Sequence, residues 1–168
     1  GLAAVHSAGR SRDQIFDALE NRETYGTSGA RILLWFNTRD GRPMGSTLSS
    51  AVSPVFEVKA VGEHKQKPGC PDETYAALGK DRVQKLCAGE CFNPSNDRMK
   101  ITRIEVVRIR RQISPDEDVG DLIEDPWKVH QCDGTQSGCS FTFSDDDFAT
   151  GKRMATYYVR AIQEPSEK

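Results

Sequence analysis

The sequence predicts a mainly β fold, antiparallel and β-sandwich-like, with one N-terminal α-helix. Three observations carry this. Only one early segment has apolar residues at helical spacing. The segments after it repeat with period two, as strands covered on one face do. Turn-forming Gly, Pro and Asp clusters separate them.

The elements follow in order. Gly1–Val5 is a short apolar strand. Ser11 starts the helix, with Gln14 three residues on completing a capping box, and Ile15, Phe16, Ala18 and Leu19 form its apolar face over residues 11–23. Gly26-Thr27-Ser28-Gly29 ends it. Arg31–Phe36 is apolar on both faces, which suits a central strand or one covered on both sides. Arg39–Pro43 is a turn. Val55–Val61 alternates, with Phe56, Val58 and Ala60 opposite Glu57 and Lys59. Ile101–Arg111 is the longest strand candidate. Its apolar phase slips from Ile104 and Val106 to Val107 and Ile109, as at a β-bulge or a change of covering layer. Ser140–Phe143 and Ala155–Ile162 close the series. Between them, Gly62–Lys100 is irregular, with three prolines, three cysteines and a short helix around Asp81–Leu86. A loop this long is usually functional, disordered or stapled, and its cysteines favour a staple.

The 168 residues suffice for one domain or one domain with an appendage. No run approaches the roughly 18 apolar residues of a membrane-spanning helix. Gly1–Val5 is too short for a signal peptide. A net charge of -2 lacks the basic excess of a general nucleic-acid binder.

Five cysteines fall into two groups, Cys70, Cys87 and Cys91, and Cys132 and Cys139. Zinc knuckles would need two C-x-x-C pairs or a histidine at ligand spacing, and neither occurs, so no metal site is predicted in this chain. Disulfides are the better reading and imply an oxidising compartment, periplasmic or extracellular. Cys132 and Cys139 bracket a Gly-containing loop short enough to close. Cys70 pairs with Cys87 or Cys91, leaving one over.

Few residues suggest chemistry. No catalytic set is predicted. His6, between a strand and a helix, is the one residue that suggests itself. Ser28, Gly29 and Arg31 form an anion-binding candidate, since backbone N–H groups near Gly plus an arginine can hold a phosphate, against the alternative of an ordinary helix-to-strand turn. Asp116–Asp125 and Asp145-Asp146-Asp147 are acidic enough for calcium but lack its loop motif. For Asp116–Asp125, local pairing with Arg108, Arg110 and Arg111, which directly precede it, explains the run at least as well. No G-x-S-x-G, P-loop or dinucleotide fingerprint is present.

Longer stretches carry a resemblance. These are Gly1–His6, Arg12–Ile32, Lys65-Gln66-Lys67-Pro68-Gly69-Cys70-Pro71, Cys87-Ala88-Gly89-Glu90-Cys91-Phe92-Asn93-Pro94, Ile104–Arg110, Leu122-Ile123-Glu124-Asp125-Pro126-Trp127 and Tyr157–Pro165. Together they resemble the C-terminal part of a bacterial family of unknown function in the PHP (polymerase and histidinol phosphatase) superfamily of metal-dependent hydrolases. The resemblance implies that residues 1–29 are a remnant of the closing strand and helix of a PHP-type barrel. Residues 31–168 are then an appended β-sandwich-like C-terminal domain with a Cys-stapled loop at 62–100. Nothing here matches the superfamily's H-x-H, so a divalent metal is expected only in the barrel, not in this chain.

The implied function is a non-catalytic accessory domain, partnered by the N-terminal barrel of its parent. The alternative is an independent exported β-sandwich module binding a carbohydrate or polymer, marked by Trp35, Trp127, Tyr157 and Tyr158 exposed in a row. A third reading, an enzyme using His6 or the cysteines, has less support. The resemblance also implies a further strand after Pro165, following the polar tail Gln163–Lys168. Without barrel and strand, the Thr156–Ile162 edge and the helix face (Ile15, Phe16, Leu19) would drive self-association.

Overall fold

A computed structural model describes residues 1–151 and 153–165, so Ser166–Lys168 of the polar tail lie outside the described residues. The core is built where period-two patterns face each other. Strands β3 (Leu33–Thr38), β4 (Val55–Val61) and β9 (Cys139–Ser144) form one antiparallel sheet in the order β3-β4-β9. Strands β7 (Ile101–Arg110), β8 (Ile123–Gln131) and β10 (Ala155–Gln163) form the other, in the order β10-β7-β8. Their inner faces meet in one cluster, with Leu34, Phe56, Val58, Ala60 and Phe143 against Ile101, Ile104 and Val106. This is the sandwich-like, mainly β arrangement that alternation predicts, since each strand turns every second residue inward.

The long strand β7 shows why its apolar phase slips. Its pairing with β8 shifts register between Val106 and Arg108. Val106, Val107 and Arg108 are all buried in succession. Of the two readings for β3, the central strand needs correction: the strand runs Leu33–Thr38 and, among the described residues, lies at the sheet edge, paired only with β4. Apolar residues occur on both of its faces because Trp35, on the face away from the core, packs against the His6 ring at 5.9 Å.

The N-terminal residues form a satellite. Strands β1 (Leu2–Val5) and β2 (Thr24–Thr27) pair in a two-stranded sheet around helix α1 (Arg12–Glu20). The Ser11–Gln14 capping box forms as read. The second strand was hidden inside what looked like a helix-ending turn. The His6 ring Nε2 lies 2.7 Å from the Leu34 carbonyl oxygen, Arg22 donates to the Gly45 carbonyl oxygen, and the Tyr25 hydroxyl donates to that of Ile32. These bonds tie the satellite to the sandwich.

The irregular stretch is an arm with structure of its own. Strands β5 (His64–Gln66) and β6 (Pro94–Arg98) pair at its base, and helices α2 (Asp72–Leu78) and α3 (Lys80–Cys87) fill its tip. Helix α3 covers the expected Asp81–Leu86, and Val83 is its buried anchor. A short helix α4 (Phe148–Gly151) precedes β10. No helix among the described residues is long and apolar enough to cross a membrane.

Two disulfides close the cysteine groups. Cys132 pairs with Cys139, as expected, and Cys70 with Cys91, which leaves Cys87 free. The first needs Gly138. Its φ is +97°, and an added Cβ would lie 2.3 Å from the Ala60 carbonyl oxygen, so both the left-handed backbone and the close approach require glycine. Denatured without reductant, the chain is expected to expose one reactive thiol, rising to five on reduction. Three or more before reduction would contradict the pairing.

Candidate functional site

The largest concentration of buried charge sits where the two sheets meet. Arg108 reaches this layer because it occupies the position after the β7 register shift, and it is 4% exposed. Its guanidinium donates to Glu124 through Nε (2.6 Å) and Nη2 (2.9 Å), and to Asp145 Oδ1 through Nη1 (2.7 Å). Asp147 accepts a longer bond of 3.3 Å. The guanidinium lies 4.4 Å over the Trp127 ring, a favourable cation–π placement. Asp145, 2% exposed, also accepts from the Tyr157 hydroxyl (2.6 Å) and the Asp147 backbone N–H (3.1 Å).

The electrostatics follow from this geometry. Burial pushes the Asp145 carboxyl pKa up. Bonds from Tyr157 and Arg108, with the guanidinium charge, outweigh it, and the net value lies below the ordinary 3.8. Burial, then the hydrogen bond to Asp145, hold the Tyr157 phenol well above its ordinary value. The hydrogen bond to Glu124 acts first in raising Arg108, against its desolvation. Asp145 is thus an ionised carboxylate with both oxygens occupied. Such a group holds strands together; it is poorly placed to move a proton to or from a substrate. The cluster joins β7, β8, β10 and the β9–α4 turn.

Beside it, a groove of about 510 Å³ opens between the free edges of β3 and β10. Leu34, Phe36, Phe56, Tyr157 and Val159 line it, under the segment from Pro43 to Pro54. The groove is mainly apolar, Arg22 and Arg42 also line it, and the Tyr157 hydroxyl in its wall is committed to Asp145.

The residues singled out from sequence are dispersed. His6 is half-buried between the Tyr25 and Trp35 rings, at 5.6 and 5.9 Å, and its Nε2 is occupied by the Leu34 carbonyl. Ser28 and Gly29 lie in the turn after β2, where the Gly29 N–H donates to Thr27 Oγ1. The Arg31 N–H donates to Glu63, and its guanidinium stacks 3.9 Å over Phe92.

Five of the nine carboxylates in the two acidic stretches form ion pairs among the described residues. Glu124, Asp145 and Asp147 meet Arg108, Glu124 also meets Arg110, and Glu117 meets Arg153. On the opposite face Arg160 pairs with Asp125 and Glu105. Charge pairing accounts for the placement of Glu117, Glu124, Asp125, Asp145 and Asp147. Sequence reasoning missed Asp145 and Trp127 as partners of Arg108, and Tyr157 as a partner of Asp145. The available signal was an arginine inside a buried strand, which requires partners wherever they lie in sequence.

Two packed antiparallel sheets with a satellite strand pair, joined by an ionic layer, define a disulfide-containing β-sandwich-like module. The chain belongs to the family described as Protein of unknown function (DUF3604), whose model matches residues 1–168. Curated proteins from Chlamydia muridarum and Chlamydia trachomatis serovar D, both described as uncharacterized, are each 44% identical over 54 residues. Those matches cover 32% of this chain and 8% of each relative, so the similar region is a small part of a much longer protein. No solved structure matches the chain.

Proposed function

We propose that this chain is a non-catalytic accessory domain of a PHP-type metal-dependent hydrolase, docked on the parent's catalytic barrel through β1, α1 and β2. One observation carries the reading: helix α1 is well capped yet buries only Ala18, while Ile15, Phe16 and Leu19 are 38%, 63% and 50% exposed. A nine-residue helix is marginal in water and owes its stability to packing of its apolar face. That face lacks a cover within the described residues. The much greater length of the relatives supplies chain enough to provide one. The divalent metal and the reaction belong to the barrel; this domain braces or shapes it. The two disulfides support a periplasmic or extracellular location.

The aromatic residues favour this reading over an independent binding module. Trp127 and Tyr157 pack inside the sandwich, and Trp35 lies in the other sheet against His6. With Tyr158 they form no surface row.

In the full-length parent, Phe16→Asp with Leu19→Asp is expected to release the domain to limited proteolysis and lower metal-dependent phosphoesterase turnover. The isolated 168-residue chain is expected to self-associate in light scattering, through this face or the β10 edge, and to give no metal-dependent turnover. Turnover by the isolated chain that His6→Ala abolishes would overturn the proposal, as would a parent unaffected by the double substitution.

A further inference from the structure

Three sulfur atoms meet where a staple needs two. Cys70 and Cys91 are bridged, and the Cys87 Sγ lies 3.2 Å from that of Cys91 and 3.8 Å from that of Cys70. All three Sγ atoms fall within a 4.8 Å sphere of mutual separation. The chain is shaped to bring them there. Cys87 ends α3, Ala88 and Gly89 follow with φ of +52° and +79°, and this left-handed turn returns the chain to Cys91. The Cys91 N–H donates to the Gly69 carbonyl, which fixes Cys70 next to it. Cys70 is buried and Cys87 half-buried.

We propose that, in its reduced form, the Cys70/Cys87/Cys91 cluster is a binding site for one thiophilic d10 divalent cation, Zn2+, with the fourth position open to water. Tetrahedral zinc holds its thiolates at about 2.3 Å, which sets neighbouring sulfurs a little under ~4 Å apart. The Cys87 contacts already approach that separation, so only the Cys70–Cys91 pair has to open. The C-x-x-x-C of Cys87 and Cys91 has no histidine or second pair beside it in sequence. The fold supplies the third ligand from Cys70 across the arm.

The chemistry balances with a dithiol as the reductant. Its two thiols pass two electrons and two protons to the Cys70–Cys91 bridge; that S–S bond breaks and the dithiol closes to its own disulfide. Three cysteine thiols result. As three S–Zn bonds form, their three protons go to solvent. Re-oxidation by a small-molecule disulfide, which takes the two electrons from the Cys70 and Cys91 thiolates and, with two protons from solvent, leaves as two thiols, re-forms the S–S bond, removes two ligands and expels the cation, so bridge and metal exclude each other. Simple exchange within the cluster is less well served by this geometry. The Cys87 sulfur sits beside the bridge, near both of its sulfurs, and displacement on a disulfide needs the attacking thiolate in line with the bond.

The test is an anaerobic titration of the full chain with Co2+ as the spectroscopic probe, then Zn2+. Dithiol-reduced protein is expected to bind one Co2+ with a thiolate-to-cobalt charge-transfer band in the near ultraviolet, which one equivalent of Zn2+ removes. Unreduced protein is expected to show no such band. Cys87→Ser leaves both disulfides intact, so its fold can be verified by circular dichroism before reduction. After reduction it is expected to bind Co2+ at least about tenfold more weakly. Cys70→Ser is expected to weaken binding likewise. Absence of the band in reduced wild-type protein would overturn the proposal. So would equal affinity in wild-type and both variants, which would place the metal on His130, Cys132 and Cys139, the other close-set group of ligand atoms.

Discussion

Arg108→Ala is expected to lower the unfolding free energy by about 3–5 kcal/mol, because it strands a buried carboxylate. Asp145 is 2% exposed and would keep only Tyr157 and the Asp147 N–H to offset its charge. Glu124 would lose its two-pronged contact, and Trp127 the cation above its ring. Urea unfolding measures the loss as a lower midpoint at unchanged slope. Replacing both partners, Arg108→Met with Asp145→Leu, is expected to recover much of it, since two charges then need no compensation. A loss below about 1 kcal/mol for the single variant would place the pair among weak surface bridges instead.

The same layer sets two pH limits. Asp145 has a folded pKa below its ordinary 3.8. Its contribution is therefore present above about pH 4 and is lost as pH falls through the folded value. Tyr157 has a folded pKa above its ordinary 10.0. Its contribution is complete below pH 10 and declines as pH rises beyond it, where the unfolded phenol ionises first. Asp145→Asn should flatten the acid limb of the stability profile, and Tyr157→Phe the alkaline one.

Phe56→Ala is expected to cost about 3–5 kcal/mol, the usual range for emptying a buried aromatic site. Phe56 is 7% exposed at the centre of the aromatic layer. Its ring lies 5.4 Å from Phe36 and 5.0 Å from Phe143 in its own sheet, and 4.8 Å from Tyr157 in the other. Removing it leaves a void between the sheets and loosens the ring whose hydroxyl anchors Asp145. Phe36→Ala should cost less, because Phe36 is half-buried at the rim of the groove. Thermal and urea unfolding of the two variants decide the order; equal losses would refute the central placement of Phe56.

What could be read from sequence tracked how one-sided each strand's environment is. Strand β4 was legible because Phe56, Val58 and Ala60 face the core while Glu57 and Lys59 face water. The β7 slip was legible because a register shift moves apolar residues to the other parity. Strand β8 was not, since it begins within an acidic run and contains Pro126. Both are tolerated because β8 is an edge strand, and Glu124 is drawn in by Arg108. The ionic layer was illegible for a different reason. Glu124 and Asp145 stand 16 and 37 residues from Arg108, and only the sheet order brings them together. The Cys132–Cys139 bridge spans seven residues and could be read locally. The other pairing depended on how the arm folds.

The strand order has a consequence for a chain emerging end-first from a ribosome or an export channel. Each sheet takes one strand from residues 139–163: β9 completes β3-β4, and β10 completes β7-β8. Until that stretch is free, β4 and β7 each lack a neighbour on one side, and the apolar faces of Phe56, Val58, Ile104 and Val106 wait uncovered. Pairings this distant in sequence form slowly and leave nascent chains open to aggregation. Asp145 belongs to the same late stretch: Arg108 meets Glu124 of β8 first, and its second buried carboxylate arrives only after β9. Both sheets are therefore completed by the same late stretch of chain, and neither can close before it is available.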